Sequence, residues 1–282
     1  MMTVSEKIVQ KTPPDSRAIR QKVFETVSES DKKLTYGELK KRLSQKFAID
    51  KKVLKTAISD LVADRQLIYT YNFGCSFLEK SFNKPIRISK RVVLKPPEMC
   101  YTPKSNEVVI DIAQGASFGS GEHPSTQLAV RGIEAALSGK NRFSKTNYTR
   151  TLDIGTGSGI LAIAAVSLGV KKAWGIDIDP CSRSEAKKNI SLNNMEDQIQ
   201  ILDRNIEDIN ESFSLITANL RYPTIKRLCS HISKITEKPG AVVVSGFKKD
   251  EVKDVLNSFT QRGFSCVWKE FEKDWAGIVF AR

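Results

Sequence analysis

Hydrophobic positions change period along this chain, and the change divides it. Ile19, Val23 and Val27 recur every four residues, Tyr36, Leu39 and Leu43 repeat at similar spacing, and Val53, Leu54, Ala57, Ile58, Leu61 and Val62 form a third stripe. These intervals predict three short helices. Thr35 stands three residues before Glu38 as a capping box for the second helix, and Asp50 is placed to cap the third. Leu67 to Tyr71 and Ser76 to Leu78 then read as strands around Asn72-Phe73-Gly74, a turn that closes a β-hairpin. Helices this short cannot stand alone, so they must bury their stripes against one another. Three helices and a hairpin predict a small winged helix-turn-helix domain over residues 1–82.

Residues 83–112 carry Pro85, Pro96 and Pro97, which forbid regular helix, while Val92 to Leu94 and Val108 to Ile112 cluster like strands. This segment reads as an ordered, β-rich linker. From residue 113 to 282 the pattern becomes α/β. Apolar strands at 151–154, 173–177, 199–202, 214–218 and 241–245 alternate with helical segments near 160–168, 182–193, 224–235 and 250–258. Such alternation predicts a doubly wound, mostly parallel sheet with helices on both faces, in the Rossmann-like manner. Two further strands, 264–270 and 277–281, are separated by Asp274-Trp275 and no helix. They close the sheet as an antiparallel hairpin and bring it to seven strands.

The chemistry concentrates where the first of these strands ends. Asp153 is followed by Gly155, Gly157 and Gly159, then by a helical apolar run, and the second strand ends on Asp177, 22 residues beyond Gly155. Glycines there let the main chain turn sharply and approach a ligand closely, and an acidic side chain at the next strand's end can accept hydrogen bonds from two ribose hydroxyls. The glycines fall as G-x-G-x-G, not the G-x-G-x-x-G of dinucleotide sites, so the loop does not require a phosphate. Asn219 ends a later strand, at the edge where doubly wound sheets bind ligands.

Composition sharpens the division. The net charge is +13, and residues 1–95 hold 21 Lys and Arg against 10 Asp and Glu, so +11 of the excess lies in the first third. Such asymmetry points to a polyanionic partner, with RNA, a ribosomal surface and DNA as candidates, beside the plainer reading of a solubilising surface. Lys51, Lys52 and Lys55 open the third helix, where they would contact phosphates without reading bases. Winged helices also serve as dimerisation and protein-docking modules, and the sequence leaves both open. The cysteines, at 75, 100, 181, 229 and 266, are scattered and odd in number, which disfavours disulfides and a zinc site and fits a reduced cytoplasm. No apolar run approaches a membrane span, and Met1 to Lys7 holds no signal core.

The loop after Asp153 resembles motif I of class I S-adenosylmethionine (AdoMet) methyltransferases, and the closing hairpin is also theirs. Gly115-Ala-Ser-Phe-Gly-Ser-Gly-Glu-His-Pro-Ser-Thr126 narrows the likeness, since it is similar to the F-G-T-G-x-H-x-T-T signature of the PrmA-type family. With Gly-Ile-Asp-Ile-Asp-Pro and Ala218-Asn-Leu220 in order, the resemblance covers roughly residues 92–282. That family methylates a ribosomal large-subunit protein on lysine and N-terminal amines. The resemblance implies that Thr126, Gly155, Asp177 and Asn219 contact AdoMet, with Asp153, Gly157 and Gly159 completing the loop. Gly119 and Gly121 permit a tight turn over the cofactor, and Asp203, just past the third strand, is placed to meet the adenine amine. His123 lies in the same loop as either a structural or a catalytic imidazole, while His231 falls in a helix away from every motif.

A winged helix in place of the small α/β substrate domain of PrmA-type enzymes departs from the family pattern. The leading expectation is an AdoMet-dependent N-methyltransferase acting on a protein amine, ribosomal or similar, with Asn219 orienting the acceptor. The alternative is an RNA or DNA methyltransferase whose winged helix holds nucleic acid. Against it, such enzymes usually carry (Asn/Asp)-Pro-Pro-(Tyr/Phe), and this chain reads Asn219-Leu-Arg-Tyr-Pro223. A third reading is an AdoMet-responsive DNA-binding regulator without catalysis.

Overall fold

The computed structural model describes residues 16–30, 33–47, 49–72, 74–113, 115, 121, 123–138 and 148–282. Phe73 of the hairpin turn, Gly119 of the loop and the first 15 residues lie outside the described residues. The chain forms two compact units, Met1–Asn83 and Lys84–Arg282.

The first unit runs α1 (Ser16–Ser28), β1 (Leu34–Thr35), α2 (Tyr36–Lys46), α3 (Lys51–Ala63), β2 (Leu67–Asn72) and β3 (Cys75–Lys80). Its strands order as β1-β3-β2, all antiparallel. The Thr35–Glu38 capping box opens α2, and the Asp50 carboxylate accepts from the backbone N–H groups of Lys52 and Val53 at the start of α3. The apolar stripes meet in one core of Ile19, Val23, Leu39, Leu43, Leu54, Ile58 and Leu61, closed below by Leu67 and Leu78. Val53 is the exception in its stripe. It sits in the first turn, one residue before buried Leu54, and faces solvent.

In the second unit β4 (Ile86–Arg87), β5 (Val92–Lys95) and β6 (Val108–Asp111) form a three-stranded sheet of their own, so the segment set apart as a linker is counted within this unit. After α4 (Pro124–Leu137) come β7 (Arg150–Ile154), α5 (Ile160–Ser167), β8 (Lys172–Ile176), α6 (Pro180–Leu192), β9 (Ile199–Leu202), β10 (Phe213–Asn219), α7 (Tyr222–Ile235), β11 (Thr236–Lys248), α8 (Val252–Thr260), β12 (Ser265–Glu272) and β13 (Trp275–Ala281). The seven-stranded sheet orders as β12-β13-β11-β10-β7-β8-β9, parallel from β11 to β9 and antiparallel at β13 and β12. The predicted α/β fold with its closing hairpin is therefore the one found. One boundary moves. Trp275 is not in the turn but pairs within the sheet opposite Lys248, because the reversal is made by Lys273 at φ 52° and Asp274.

Burial explains why this unit holds together. Every residue of α5 from Ile160 to Val166 is buried, as are Phe213 to Ala218 of β10. A helix apolar all round is a core helix, and each such side chain removed from water contributes about 1.5–3 kcal/mol. Strand order places the function. From β7 the chain moves outward through β8 to β9, then returns to β10 on the other side of β7. In doubly wound sheets ligands bind in the crevice at such a reversal, which here falls at the carboxyl ends of β7 and β10, at Ile154 and Asn219.

Candidate functional site

On one side of the crevice stands the glycine loop. Gly155, Gly157 and Gly159 have φ of 70°, 54° and 83°, in the left-handed region. Gly155 and Thr156 both donate their N–H to the carbonyl of Ile176 at 2.9 Å, which pins the loop to the end of β8. The Gly157 N–H donates to Asp177 Oδ2 at 2.9 Å, and the Asp179 N–H donates to Oδ1 at 3.0 Å. Gly157 can make that approach because no side chain obstructs its strained backbone. Asp177 is half-buried and held by both oxygens, yet each oxygen keeps a second acceptor position. Ile178 follows it with 90% of its surface exposed. A fixed carboxylate beside a bare apolar surface fits the ribose and base of an adenosyl group.

Asp153 works from beneath. It is wholly buried, and its two oxygens accept from the hydroxyls of Thr156 and Thr217, both at 2.7 Å. It thus ties β7, the loop and β10 together, and its reach to a ligand is through the loop it holds. Burial pushes its carboxyl up to about 6, against the opposing pull of the two hydroxyls. The sign follows from linkage. With the folded value above the ordinary 3.8, the folded state binds the proton more tightly, so the contribution of Asp153 to stability is greatest below pH 4 and is lost as pH rises towards 6. The loss is about 3 kcal/mol. Asp153→Asn should flatten that interval of the curve, and urea denaturation of both proteins from pH 4 to 8 checks it; parallel curves would show that Asp153 ionises freely.

Arg183, on α6, is a residue the sequence reading missed. Its guanidinium donates to the carbonyls of Asp177 at 2.9 Å and Ile178 at 3.2 Å and pairs with Asp203 at 2.9 Å. Nothing in a motif marks it, because its partners are mostly backbone atoms. It fastens the segment carrying Asp177 to the one carrying Asp203, whose own side chain is 80% exposed. We expect Arg183→Ala to weaken adenosyl-ligand binding by about tenfold and Arg183→Lys to lie between, since a lysine keeps the charge but not the fork. Calorimetry decides, and unchanged affinity in both variants removes Arg183 from the site.

The facing wall is built from α4, β10 and β11. Thr126 is fully buried and its hydroxyl accepts from Asn219 Nδ2 at 3.3 Å. Asn219 Oδ1 is buried too and has no hydrogen-bond partner. An acceptor left in that state costs about 1–3 kcal/mol unless a ligand donates to it. It lies against the backbone of Gly246, where a Cβ would come within 2.8 Å of it. His123 caps α4, its Nδ1 accepting from the Ser125 N–H at 3.2 Å, and its ring meets Trp275 edge-on at 4.7 Å. The cap uses Nδ1 as an acceptor, which places the proton of the neutral ring on Nε2. Lys248 covers Trp275, its Nζ 3.8 Å from the ring centre. The carboxyl ends of the strands, so assembled, bring acidic, amide and aromatic groups together.

The remaining candidates lie apart. His231, on α7, contacts the Ile209 carbonyl at 3.0 Å. Lys51, Lys52 and Lys55 belong to the first unit, exposed on α3. No cluster of metal-ligating side chains occurs among the described residues, and no helix among them is long and apolar enough to cross a membrane.

This arrangement has relatives. A family model described as ribosomal protein L11 methyltransferase (PrmA) matches residues 77–282. The ribosomal protein L11 methyltransferase of Heliobacterium modesticaldum is 31% identical over 204 residues, covering 72% of this chain and 62% of its own. That of Clostridium botulinum strain Eklund 17B is 35% identical over 201 residues, or 71% of this chain and 61% of its own. The chain thus spans less than two thirds of the length of these relatives. The crystal structure of a ribosomal protein L11 methylase from Lactobacillus delbrueckii subsp. bulgaricus superposes with a TM-score of 0.62 at 27% identity, over 72% of this chain and 99% of that one.

Proposed function

The chain belongs to the ribosomal protein L11 methyltransferase (PrmA) family, and we propose from this and from the geometry of the crevice that it transfers a methyl group from AdoMet to a protein amine, a lysine or N-terminal amine of a ribosomal protein. The carrying observation is the unpartnered, buried Oδ1 of Asn219 at the carboxyl end of β10. The fixed carboxylate of Asp177, the exposed Ile178 beside it and the open glycine turn fit the adenosyl moiety, with Asp203 and Arg183 at its rim. Bound there, AdoMet supplies an electrophilic methyl on a sulfonium. The chain's own residues then have one task, which is alignment. Asn219 Oδ1 accepts an N–H of the acceptor amine and so sets the direction of its lone pair, while Thr126 holds the amide in place. Desolvation among the buried groups of this wall favours the neutral amine, so the arrangement calls for no dedicated base.

Labelled AdoMet incubated with dissociated large-subunit proteins and, separately, with ribosomal RNA tests the proposal. Label should enter protein, resist nuclease and yield to protease. Label in RNA alone would overturn the protein-amine assignment.

The family match begins at residue 77, which leaves most of the first unit outside it. We read residues 1–82 as a winged helix that takes over target recognition. Residues 84–282 alone should keep the full protein's AdoMet affinity and lose methylation of the natural target, as calorimetry and methylation assays on the truncated chain would measure. Full-rate methylation by the truncated protein would assign the first unit another role.

A further inference from the structure

We infer that the exposed face of α3 docks double-helical RNA through its phosphates, which deepens the reading of a ribosome-directed methyltransferase and rests on it. The argument begins with where the first unit uses its charges. Its acidic groups are largely engaged. Asp64 pairs with Arg20, and Glu79 pairs with Lys33 and accepts from Thr70 at 2.7 Å. Glu38 closes the capping box of α2, and Glu25 accepts from Gln21 at 2.8 Å. Asp50 accepts the first N–H groups of α3, which hold its carboxyl below the usual range. The lysines of α3 are treated differently. Lys51, Lys52 and Lys55 all face solvent, no acidic side chain comes within ion-pair distance of them among the described residues, and the charge of Lys52 acts weakly on Asp50. The acidic residue of α3 itself, Asp60, is exposed on the same side of the helix but five positions beyond Lys55, outside the i+3 and i+4 spacing of helical neighbours. Lys51 and Lys55, four apart, face each other as like charges, a placement that costs a helix about 0.2–0.5 kcal/mol.

The other exposed side chains choose the partner. Beside the lysines the surface of α3 presents Val53, Thr56, Ser59, Asp60 and Ala63. None of these is an Arg, Asn or Gln, whose fork or amide reads base edges bidentately in a B-form major groove, and a lysine ammonium is a compact point charge suited to a phosphate. A face of lysines and small polar groups binds charge and shape. That is how an A-form duplex, whose major groove side chains cannot enter, is recognised across its shallow groove and phosphates. A ribosome-directed enzyme meets that polymer beside its protein target.

The test uses the full chain and a blunt RNA hairpin of about 20 base pairs, with a DNA duplex of equal length as the second arm, titrated from about 50 to 200 mM salt. The wild type should bind the hairpin at the lowest salt with little dependence on sequence. Replacing Lys51, Lys52 and Lys55 together with Gln should weaken it at least about tenfold and lower the slope of log affinity against log salt by about 2–3 units, since each phosphate contact on a duplex releases about 0.9 counterion. In the triple variant AdoMet affinity should be unaltered, and methylation of assembled subunits should fall more than that of an isolated, RNA-free ribosomal protein. Absence of hairpin binding by the wild type, an unchanged slope in the variant, or tighter binding to the DNA duplex would each overturn the inference. If RNA binding behaves as expected and neither protein preparation is methylated, it is the proposed activity that fails and not the RNA face.

Discussion

Asn219→Ala should lower the maximal rate of methyl transfer by about 10²- to 10³-fold while leaving AdoMet affinity within a few-fold, since displacing a positioned reactant by even an ångström carries a penalty of that order. The reasoning turns on one atom. Oδ1 of Asn219 is buried without a partner, whereas Nδ2 is spent on Thr126. Removing the side chain deletes an acceptor that meets nothing in the free protein and, on our reading, meets the acceptor amine in the reacting complex. An interaction absent from the free enzyme and present in the complex affects the rate more than cofactor binding. Asn219→Asp separates orientation from charge. A carboxylate still accepts from the amine and from the Thr126 hydroxyl, yet it favours an ammonium over the neutral amine that attacks. The Asp variant should therefore regain part of the lost rate, with its optimum displaced to higher pH. Single-turnover rates at saturating AdoMet over pH 6 to 10 would measure both variants, and a rate for Asn219→Ala within about threefold of wild type would remove the residue from the reaction.

How far the sequence reveals this site depends on the kind of contact involved. Periodicity places the strands because a buried strand must be apolar along its length, and β7 to β10 therefore lie within a residue or two of their predicted bounds. Motif spacing brings Gly155, Gly157 and Gly159 to Asp177 because one helix, α5, and one parallel strand, β8, of ordinary length separate them. Contacts made to backbone atoms leave no such trace. Arg183 is six residues beyond Asp177, and two of its three partners are carbonyls that any residue would supply. Nor does spacing distinguish roles within a motif. Asp153 and Asp177 both flank the loop, but one is enclosed between two threonine hydroxyls and the other opens to the crevice. Thr217 lies 64 residues from Asp153, so only the parallel pairing of β7 with β10 could show that they meet. Trp275 reads in sequence as a turn residue because it follows Asp274. It is drawn into the sheet since the strand opposite, β11, runs three residues past its expected end, to Lys248.

Asp177→Ala should weaken AdoMet binding by about 2–4 kcal/mol, a 30- to 1000-fold rise in Kd, from the loss of two ribose hydrogen bonds to a charged acceptor. Part of that loss belongs to the protein itself. The carboxylate also receives the N–H groups of Gly157 and Asp179, so alanine leaves two donors at the loop without their acceptor. Asp177→Asn isolates the two contributions, because an amide oxygen still accepts one of these N–H groups but brings no charge to the ribose. It should retain most of the loop's order, seen as a melting temperature near that of the wild type, and still bind AdoMet at least about tenfold more weakly. S-adenosylhomocysteine supplies the decisive comparison, for it shares the ribose and lacks the sulfonium charge. If Asp177 holds the ribose, the two ligands lose the same free energy in each variant. A loss confined to AdoMet would mean that the carboxylate acts on the positive charge at sulfur, and that the ribose is held by some other group in the crevice.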